Sequence, residues 1–187
     1  MKVTFITTNK RKFIEVRDIL KNYAVEIKQL AIDYEENHDA SIEEVARSAA
    51  EKLTNELQKP IVLEDTGLFF TAYNGFPGAL PKFVFHTLGY RGIFKLLAGE
   101  NRAAYFKTVA AYCEPGEGPV LFEGVMKGQI TEEVYNEDKD EMPYDKIFIP
   151  DGKEVTISEM TLQEKNSFSQ RAAAFRQFGE YLQKNYQ

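Results

Sequence analysis

The chain has few of the residues that several common sites require. Its 187 residues include one cysteine, Cys113, two histidines and no tryptophan. A single cysteine excludes an intrachain disulfide and a zinc site built from several thiolates, and the apolar strand pattern around it predicts a core position. His38 and His86 have no partner at metal-ligand spacing, so we expect ordinary surface or core histidines.

Long apolar runs and an excess of positive charge are also missing. No segment approaches the ~20 apolar residues that cross a membrane, and Met1-Lys2 leads into a strand instead of a signal-peptide pattern. Lysine and arginine total 23 against 29 aspartates and glutamates, a net charge of −6. Nucleic-acid-binding proteins are usually basic with a continuous positive stripe. We therefore expect a cytoplasmic protein with no membrane or nucleic-acid partner.

Three widespread catalytic or nucleotide-binding patterns are absent as well. No G-x-x-x-x-G-K-[ST] motif is present, and no G-x-G-x-x-G follows the first strand. No set of serine, histidine and aspartate suggests a nucleophilic triad. The composition is nevertheless that of a folded protein, with 43% hydrophobic and 13% aromatic residues. Without a linker-like break, it predicts one domain over residues 1–187.

Hydrophobic periodicity predicts alternating strands and helices in the first third of the chain. The predicted elements are a strand at 3–6, a helix beginning near residue 10, a strand at 25–30, a helix from Ser41, and a short strand at 61–63. This order is typical of an α/β fold, in which ligands gather beyond the carboxyl ends of the strands. Further along, strands are predicted at 105–112, 120–125 and 147–149, and one last helix carries Phe168 through Leu182.

The first helix begins with three cations, which is the unfavourable charge for that end. Lys10, Arg11 and Lys12 follow Thr8 and Asn9, either of which is a good N-cap. The N-terminus of a helix is already partly positive, so each misplaced cation costs roughly 0.3–1 kcal/mol. One interpretation is a site for an anion, most commonly phosphate. The other is a solvated basic patch on a surface helix.

Two carboxylates, Glu64 and Asp65, directly follow the buried strand at 61–63, where uncompensated charge is costly. Together with Glu35 and Glu36 they would form an oxygen-rich site. Such a site suits Mg²⁺, which binds through one or two carboxylates, the substrate and water, and a neighbouring carboxylate can activate a water. Alternatively, Glu64 and Asp65 only end the strand and cap the next turn.

Several motifs, taken together and in order, resemble those of the inosine triphosphate pyrophosphatase family. They are Thr7-Thr8-Asn9-x-x-Lys12 with Glu15, Glu64-Asp65-Thr66-Gly67-Leu68, Asn74-Gly75-Phe76-Pro77-Gly78, Ala104-Tyr105-Phe106-Lys107-Thr108, Phe122-Glu123-Gly124, Tyr144-Asp145-x-Ile147-Phe148-x-Pro150, Glu159-Met160-Thr161 and Glu164-Lys165-Asn166. The resemblance implies Mg²⁺-dependent hydrolysis of ITP, dITP and XTP to the monophosphate and pyrophosphate. It also implies a mixed, strongly bent sheet with helices on both sides, two lobes around a long nucleotide-binding cleft, and a homodimer.

The same resemblance implies roles for individual residues. Asp65 would be the general base and a metal ligand, and Glu36 would be the other metal ligand. The implied substrate-binding residues are Thr7, Thr8, Asn9, Lys12, Thr66, Tyr144, Asp145, Lys165, Gln170 and Arg171. Of these, Arg171 would donate to the keto group of hypoxanthine or xanthine, where adenine presents an amino donor instead.

Three residues on the base-recognition side depart from the family pattern. Gln170 stands where histidine is usual, Pro143 removes an aromatic stacking candidate, and Lys146 adds a charge expected near the base or ribose. These departures leave two alternatives open. One is the same scaffold with relaxed or different base choice, and the other is a nucleotide-binding regulatory module without catalysis.

Overall fold

A computed structural model describes residues 1–34 and 40–186 of the chain. Its strands are β1 (Lys2–Ile6), β2 (Glu26–Leu30), β3 (Ile61–Phe70), β4 (Pro77–Gly78), β5 (Ala103–Cys113), β6 (Val120–Ile130) and β7 (Phe148–Pro150). Its helices are α1 (Lys10–Leu20), α2 (Ile42–Leu57), α3 (Pro81–Leu96), α4 (Leu162–Phe168) and α5 (Gln170–Tyr186), with short 3-10 turns at Lys21–Tyr23, Thr71–Tyr73, Pro143–Lys146 and Ile157–Glu159. Within the two described ranges, no helix has both the length and the apolarity to span a membrane.

The strands form one mixed sheet in the order β2-β1-β3-β5-β6-β7, with β4 paired to β3. Strand β1 is parallel to both of its neighbours, and every other pairing is antiparallel. Ile6, the last residue of β1, lies level with Leu30 on β2 and Leu63 on β3. The parallel strands therefore reach the same edge, as the α/β order predicts.

Strand β3 does not end at Leu63, and the prediction of a short strand was wrong at this end. It continues through Glu64 and Asp65 to Phe70 because β5 pairs with every residue from Ile61 to Phe70. This antiparallel partner supplies backbone hydrogen bonds beyond the point where β1 stops. The two carboxylates still lie just past the end of β1, so the predicted crevice is retained.

Helices cover both faces of the sheet, which confirms the predicted fold class. On one face, α1 and α5 bury side chains such as Leu20 and Phe175 against Val62. On the other face, α2 packs residues such as Leu53 against Leu63. Each large apolar side chain buried in this way contributes roughly 1.5–3 kcal/mol. Helix α2 begins at a capping box, in which Ser41 and Glu44 exchange hydrogen bonds of 2.9 and 3.2 Å.

A further apolar cluster surrounds the far halves of β3, β5 and β6. It includes Leu68 and Phe70 of β3, Phe106 of β5 and Ile93 of α3. Helix α3 bends at Gly89, whose φ of 59° and ψ of −175° interrupt the helical backbone. The long strands thus pass through two packed regions, which correspond to the two expected lobes.

The C-terminal helical region consists of two helices, which corrects the prediction of one continuous helix. Ser169 has φ −63° and ψ 157°, so α4 ends before it. Its hydroxyl accepts a hydrogen bond from the Ala172 N–H at 3.2 Å and thereby caps α5. Serine is tolerated inside helices, so apolar periodicity does not mark this break. Its consequence is that Gln170 and Arg171 occupy the first turn of α5.

Candidate active site

A cleft of about 510 Å³ brings together residues from both ends of the chain. The predicted substrate-binding residues in its wall are Thr7, Thr8, Asn9, Lys12, Thr66, Tyr144, Asp145, Gln170 and Arg171. Lys165 is the one predicted substrate-binding residue that is not among the described lining residues of the cleft. Contact of these residues with a substrate stays a prediction, but their arrangement around one cavity fits it.

The start of α1 lines the cleft, and its N-cap is Asn9. The Asn9 Oδ1 accepts from the Arg11 and Lys12 backbone N–H groups at 2.9 and 3.2 Å, and the Asn9 N–H donates to Thr7 Oγ1 at 3.1 Å. The side chain therefore already satisfies two N–H groups of the first turn. A phosphate that used those N–H groups would have to displace the asparagine cap.

The basic run at this helix start is largely neutralised by acidic partners. Arg11 pairs with Glu141 at 2.8 Å and with Asp140 at 3.0 Å, and Lys12 Nζ lies 2.8 Å from Glu64 Oε1. The run is therefore not simply a solvated patch. Carboxylates that are distant in sequence compensate the charge that is unfavourable at this helix end.

Glu64 lies between two cations and is fully buried, with a side-chain exposure of 0%. Besides Lys12, it accepts from Arg171 Nε at 2.8 Å and Nη2 at 3.2 Å. Burial alone raises the pKa of Glu64, but the charges and hydrogen bonds of Arg171 and Lys12 outweigh it and hold the pKa at about 2. Both carboxylate oxygens thus bind cations, and a contribution of Glu64 to a metal site stays a prediction.

Arg171 continues this arrangement through Glu15 of α1. The Arg171 Nη1 lies 2.5 Å from Glu15 Oε2, Lys165 Nζ lies 2.8 Å from Glu15 Oε1, and the same Nζ lies 2.6 Å from Asp145 Oδ2. Six side chains of alternating sign are thereby joined. We call them the ion chain: Lys12, Glu64, Arg171, Glu15, Lys165 and Asp145.

The electrostatics of the ion chain follow from burial opposed by close opposite charges. Burial raises the pKa of Glu15, but the opposite effect of Arg171 and Lys165 is larger. The pKa of Glu15 therefore lies below its ordinary value. Burial likewise lowers the pKa of Lys165, but Asp145 and Glu15 outweigh this and raise it. For Asp145, burial prevails over its pairing with Lys165, and its pKa is raised. Lys165 is not among the described lining residues and binds Asp145, which is, so it holds a residue of the wall without lining the cleft itself.

Gln170 and Arg171 reach the cleft because β6 carries a glycine beneath them. A Cβ at Gly124 would lie 2.0 Å from the Gln170 carbonyl oxygen and 2.9 Å from Ala173 Cβ. Only glycine permits this approach of α5 to the sheet. The Gln170 side chain is buried, and its Oε1 accepts no hydrogen bond from the described residues.

Part of the cleft wall is aromatic, although Pro143 itself is not. Phe85 and Phe106 line the cleft, and the Phe85 ring packs edge-to-face on Tyr144 with centroids 5.9 Å apart. The Tyr144 hydroxyl donates to the Pro81 carbonyl at 3.0 Å, which ties this wall to α3. The sequence motifs did not indicate Phe85, because it lies outside every one of them.

Lys146 does not bring its charge into the cleft, contrary to the expectation from sequence. Its ammonium group donates to the Glu137 carbonyl at 2.5 Å, and its side chain is buried. The described cleft wall includes Asp145 without its neighbour Lys146. Of the three departures, two therefore lie at the cleft, Gln170 and Pro143.

The predicted metal ligands are only partly described. Alternation along β3 places Asp65 on the face of Leu63, opposite Glu64. Asp65 is 6% exposed, and its Oδ1 accepts from the Thr66 N–H at 2.9 Å. Asp65 is not among the described lining residues. Glu36 lies outside the described residues, as do Glu35 and His38.

A magnesium site still fits the chemistry of these donors. In the described part of the chain, no group of three histidine, cysteine, aspartate or glutamate side chains is placed to hold a metal. Magnesium, however, commonly takes only one or two carboxylates and completes its shell with substrate phosphates and water. Asp65 with one further carboxylate would satisfy that requirement.

Comparison with known proteins shows which sequences this chain resembles. The sequence profile of the Ham1 family matches residues 3–181. The dITP/XTP pyrophosphatase of Methanopyrus kandleri is 43% identical over 186 residues, covering 99% of this chain and 98% of that protein. The dITP/XTP pyrophosphatase of Methanosarcina mazei is 42% identical over 182 residues, covering 97% of each.

Solved structures agree with these sequence matches. A HAM1 protein from Coxiella burnetii superposes with a TM-score of 0.81 at 25% identity, covering 98% of this chain and 99% of that one. A nucleoside-triphosphatase, or dITP/XTP pyrophosphatase, from Mycobacterium abscessus gives a TM-score of 0.68 at 26% identity, with 97% and 96% covered.

Proposed function

The chain belongs to the Ham1 family, and from that premise we propose that it hydrolyses dITP, XTP and ITP to the monophosphate and pyrophosphate. The family match confirms the resemblance predicted from the motifs. The observation that carries the proposal is the cleft itself, in which residues from β1, β3, α1 and α5 meet. A homodimer in the cytoplasm completes the proposal and follows from the resemblance alone.

Charge balance supports a requirement for a divalent cation. Lys12 is paired with Glu64, and Arg11 with Asp140 and Glu141, so this end has little positive charge to spare for a triphosphate. We propose that Asp65 and Glu36 hold Mg²⁺. When bound, this ion would neutralise phosphate charge and lower the pKa of a water.

On this proposal the chain's own residues divide the remaining work. Lys12 exchanges part of its contact with Glu64 for a phosphate oxygen, since its side chain is 23% exposed. Asp65 accepts a proton from the attacking water at its carboxylate. Thr7, Thr8 and Asn9 orient the phosphates at the start of α1.

Base choice rests on the N–H groups of Arg171 that do not bind Glu64 or Glu15. A guanidinium has five N–H groups, and three of them bind Glu64 and Glu15. The other two can donate to the keto oxygen of hypoxanthine or xanthine. Adenine presents an amino donor there, which would leave buried groups unpaired at a cost of about 1–3 kcal/mol. That corresponds to a preference of roughly 5- to 150-fold.

A second candidate is the same hydrolysis with relaxed base choice. It is favoured by Gln170, whose carboxamide oxygen lacks a partner among the described residues, and by Pro143 in the wall. A carboxamide can donate or accept, so it can match more than one base edge.

The test is pyrophosphate release by the purified protein with Mg²⁺ from ITP, dITP, XTP, GTP, ATP and dUTP. We expect kcat/KM for dITP and XTP to exceed that for ATP by about 5- to 150-fold. Similar values for all six nucleotides would support relaxed base choice. Binding of dITP without any pyrophosphate release would instead indicate a nucleotide-binding module.

A further inference from the structure

Glu15 is the carboxylate of the ion chain that joins Arg171 to Lys165. Its Oε2 lies 2.5 Å from Arg171 Nη1, and its Oε1 lies 2.8 Å from Lys165 Nζ. Lys165 in turn holds Asp145 at 2.6 Å. Arg171 and Asp145 are in the cleft wall. Glu15 itself is 5% exposed and lies behind that wall.

The Arg171 guanidinium is fixed by carboxylates from two different elements. Glu64 of β3 binds Nε and Nη2, and Glu15 of α1 binds Nη1. A planar group held on two edges has one orientation, and its remaining N–H groups have fixed directions. Held by Glu64 alone, the guanidinium could pivot about that pair. Glu15 therefore decides where the unused donors point.

Charge compensation by itself does not require this geometry. A carboxylate anywhere near Arg171 and Lys165 would offset their charge, since Coulomb energy varies slowly with distance. Directed hydrogen bonds depend steeply on position and angle. Moving the Glu15 carboxylate while keeping its charge therefore separates a positioning role from a merely neutralising one.

We propose that Glu15 is the positioning residue for base recognition, fixing Arg171 directly and Asp145 through Lys165. The inference rests on the proposed function and adds to it a residue that touches neither substrate nor reacting atoms. Its action is on the affinity for the base, with the chemistry at the phosphates left in place.

Glu15→Asp tests the proposal, because it keeps the negative charge and withdraws it by one methylene, about 1.5 Å. The measurement is kcat/KM for dITP divided by kcat/KM for dATP. We expect this ratio to fall by about 10-fold or more, since misplacement by about 1 Å can cost 10²-fold. The loss should appear in KM for dITP, with kcat changed by less than about 3-fold. Glu15→Gln, which removes the charge, should show a fall at least as large.

The ratio is informative even when a variant is destabilised. Both substrates are measured on the same preparation, so the fraction of folded protein cancels. Asp18→Asn is the matched control, because Asp18 lies one turn further along α1 and binds Asn166 at 3.0 Å, outside the ion chain. We expect that variant to keep the wild-type ratio.

An unchanged ratio in Glu15→Asp, with the wild-type enzyme active, would overturn the positioning role and leave the proposed function standing. If the wild type releases no pyrophosphate from any nucleotide, the proposed function fails instead. Calorimetric Kd values for dITP and dATP then decide the positioning role by the same ratio.

Discussion

Glu64→Gln is expected to destabilise the protein by about 3 kcal/mol. The Glu64 side chain is fully buried between Arg171 and Lys12. Removing one partner of a buried ion pair costs about 3–5 kcal/mol, because it leaves an uncompensated charge. Lys12 is partly exposed and can turn toward water, and Arg171 keeps its contact with Glu15. These two circumstances place the expected loss at the lower end of that range.

The lowered pKa of Glu64, which arises from the same two cations, gives a contribution of similar size. Its fall from 4.5 to about 2, at about 1.4 kcal/mol for each pH unit, corresponds to about 3 kcal/mol. Because the folded-state pKa is the lower one, this stability is fully present above pH 4.5. It is lost as the pH falls from 4.5 to about 2. The gap between wild type and Glu64→Gln should narrow over that range.

Urea unfolding at pH 7 and again at pH 3 measures both effects. At pH 7 we expect Glu64→Gln to lose about 3 kcal/mol, or about 6–12 °C in Tm, and at pH 3 the gap should be about half as large. Glu26→Gln is the control, since Glu26 pairs with Lys2 at an exposed site and should change stability by less than about 0.5 kcal/mol. A loss below about 1 kcal/mol at pH 7, or an equal gap at both pH values, would refute this reasoning.

Three further substitutions test the site. Asp65→Asn should lower pyrophosphate release by at least about 100-fold with an unchanged melting temperature; normal turnover would remove Asp65 from the reaction. Gln170→His should raise the ratio of kcat/KM for ITP to that for ATP, and an unchanged ratio would show that Gln170 does not contact the base. Gly124→Ala should cost about 1–3 kcal/mol and lower that ratio, because the new Cβ would lie 2.0 Å from the Gln170 carbonyl. Gly118→Ala, which meets nothing within 4 Å, should change neither; equal stability of the two alanine variants would contradict the close approach of α5.

Local sequence patterns were sufficient for the elements whose stability is local. Of the two N-cap candidates, Thr8 and Asn9, the structure selects Asn9, and the capping box of Ser41 and Glu44 is confirmed. Each depends on residues within one helical turn. The extent of β3 was not predictable in this way. It depends on pairing with β5, whose residues lie some 40 positions further along the chain, and apolar periodicity carries no record of that partner.

At the site, too, the sequence indicated individual residues but not the partners that they contact. The motifs indicated Lys12, Lys165 and Arg171 as individual cations near a nucleotide, and the structure brings them near one cleft. They did not indicate that Glu15, 156 positions before Arg171, would hold it. The first motif includes Glu15, but its three-residue spacing from Lys12 is ordinary on a helix and did not indicate that the carboxylate is buried.

The ion chain restricts the order in which this protein can acquire new base preferences. A single change of charge at any of its buried members leaves a neighbour uncompensated and costs about 3–5 kcal/mol, whereas a compensating pair of changes avoids that cost. Gln170 and Pro143, by contrast, are neutral residues in the same wall, and each can be exchanged alone at modest cost. The two departures that face the cleft fall at these neutral positions. Directed evolution of altered specificity should therefore begin there and treat the charged residues as a fixed background.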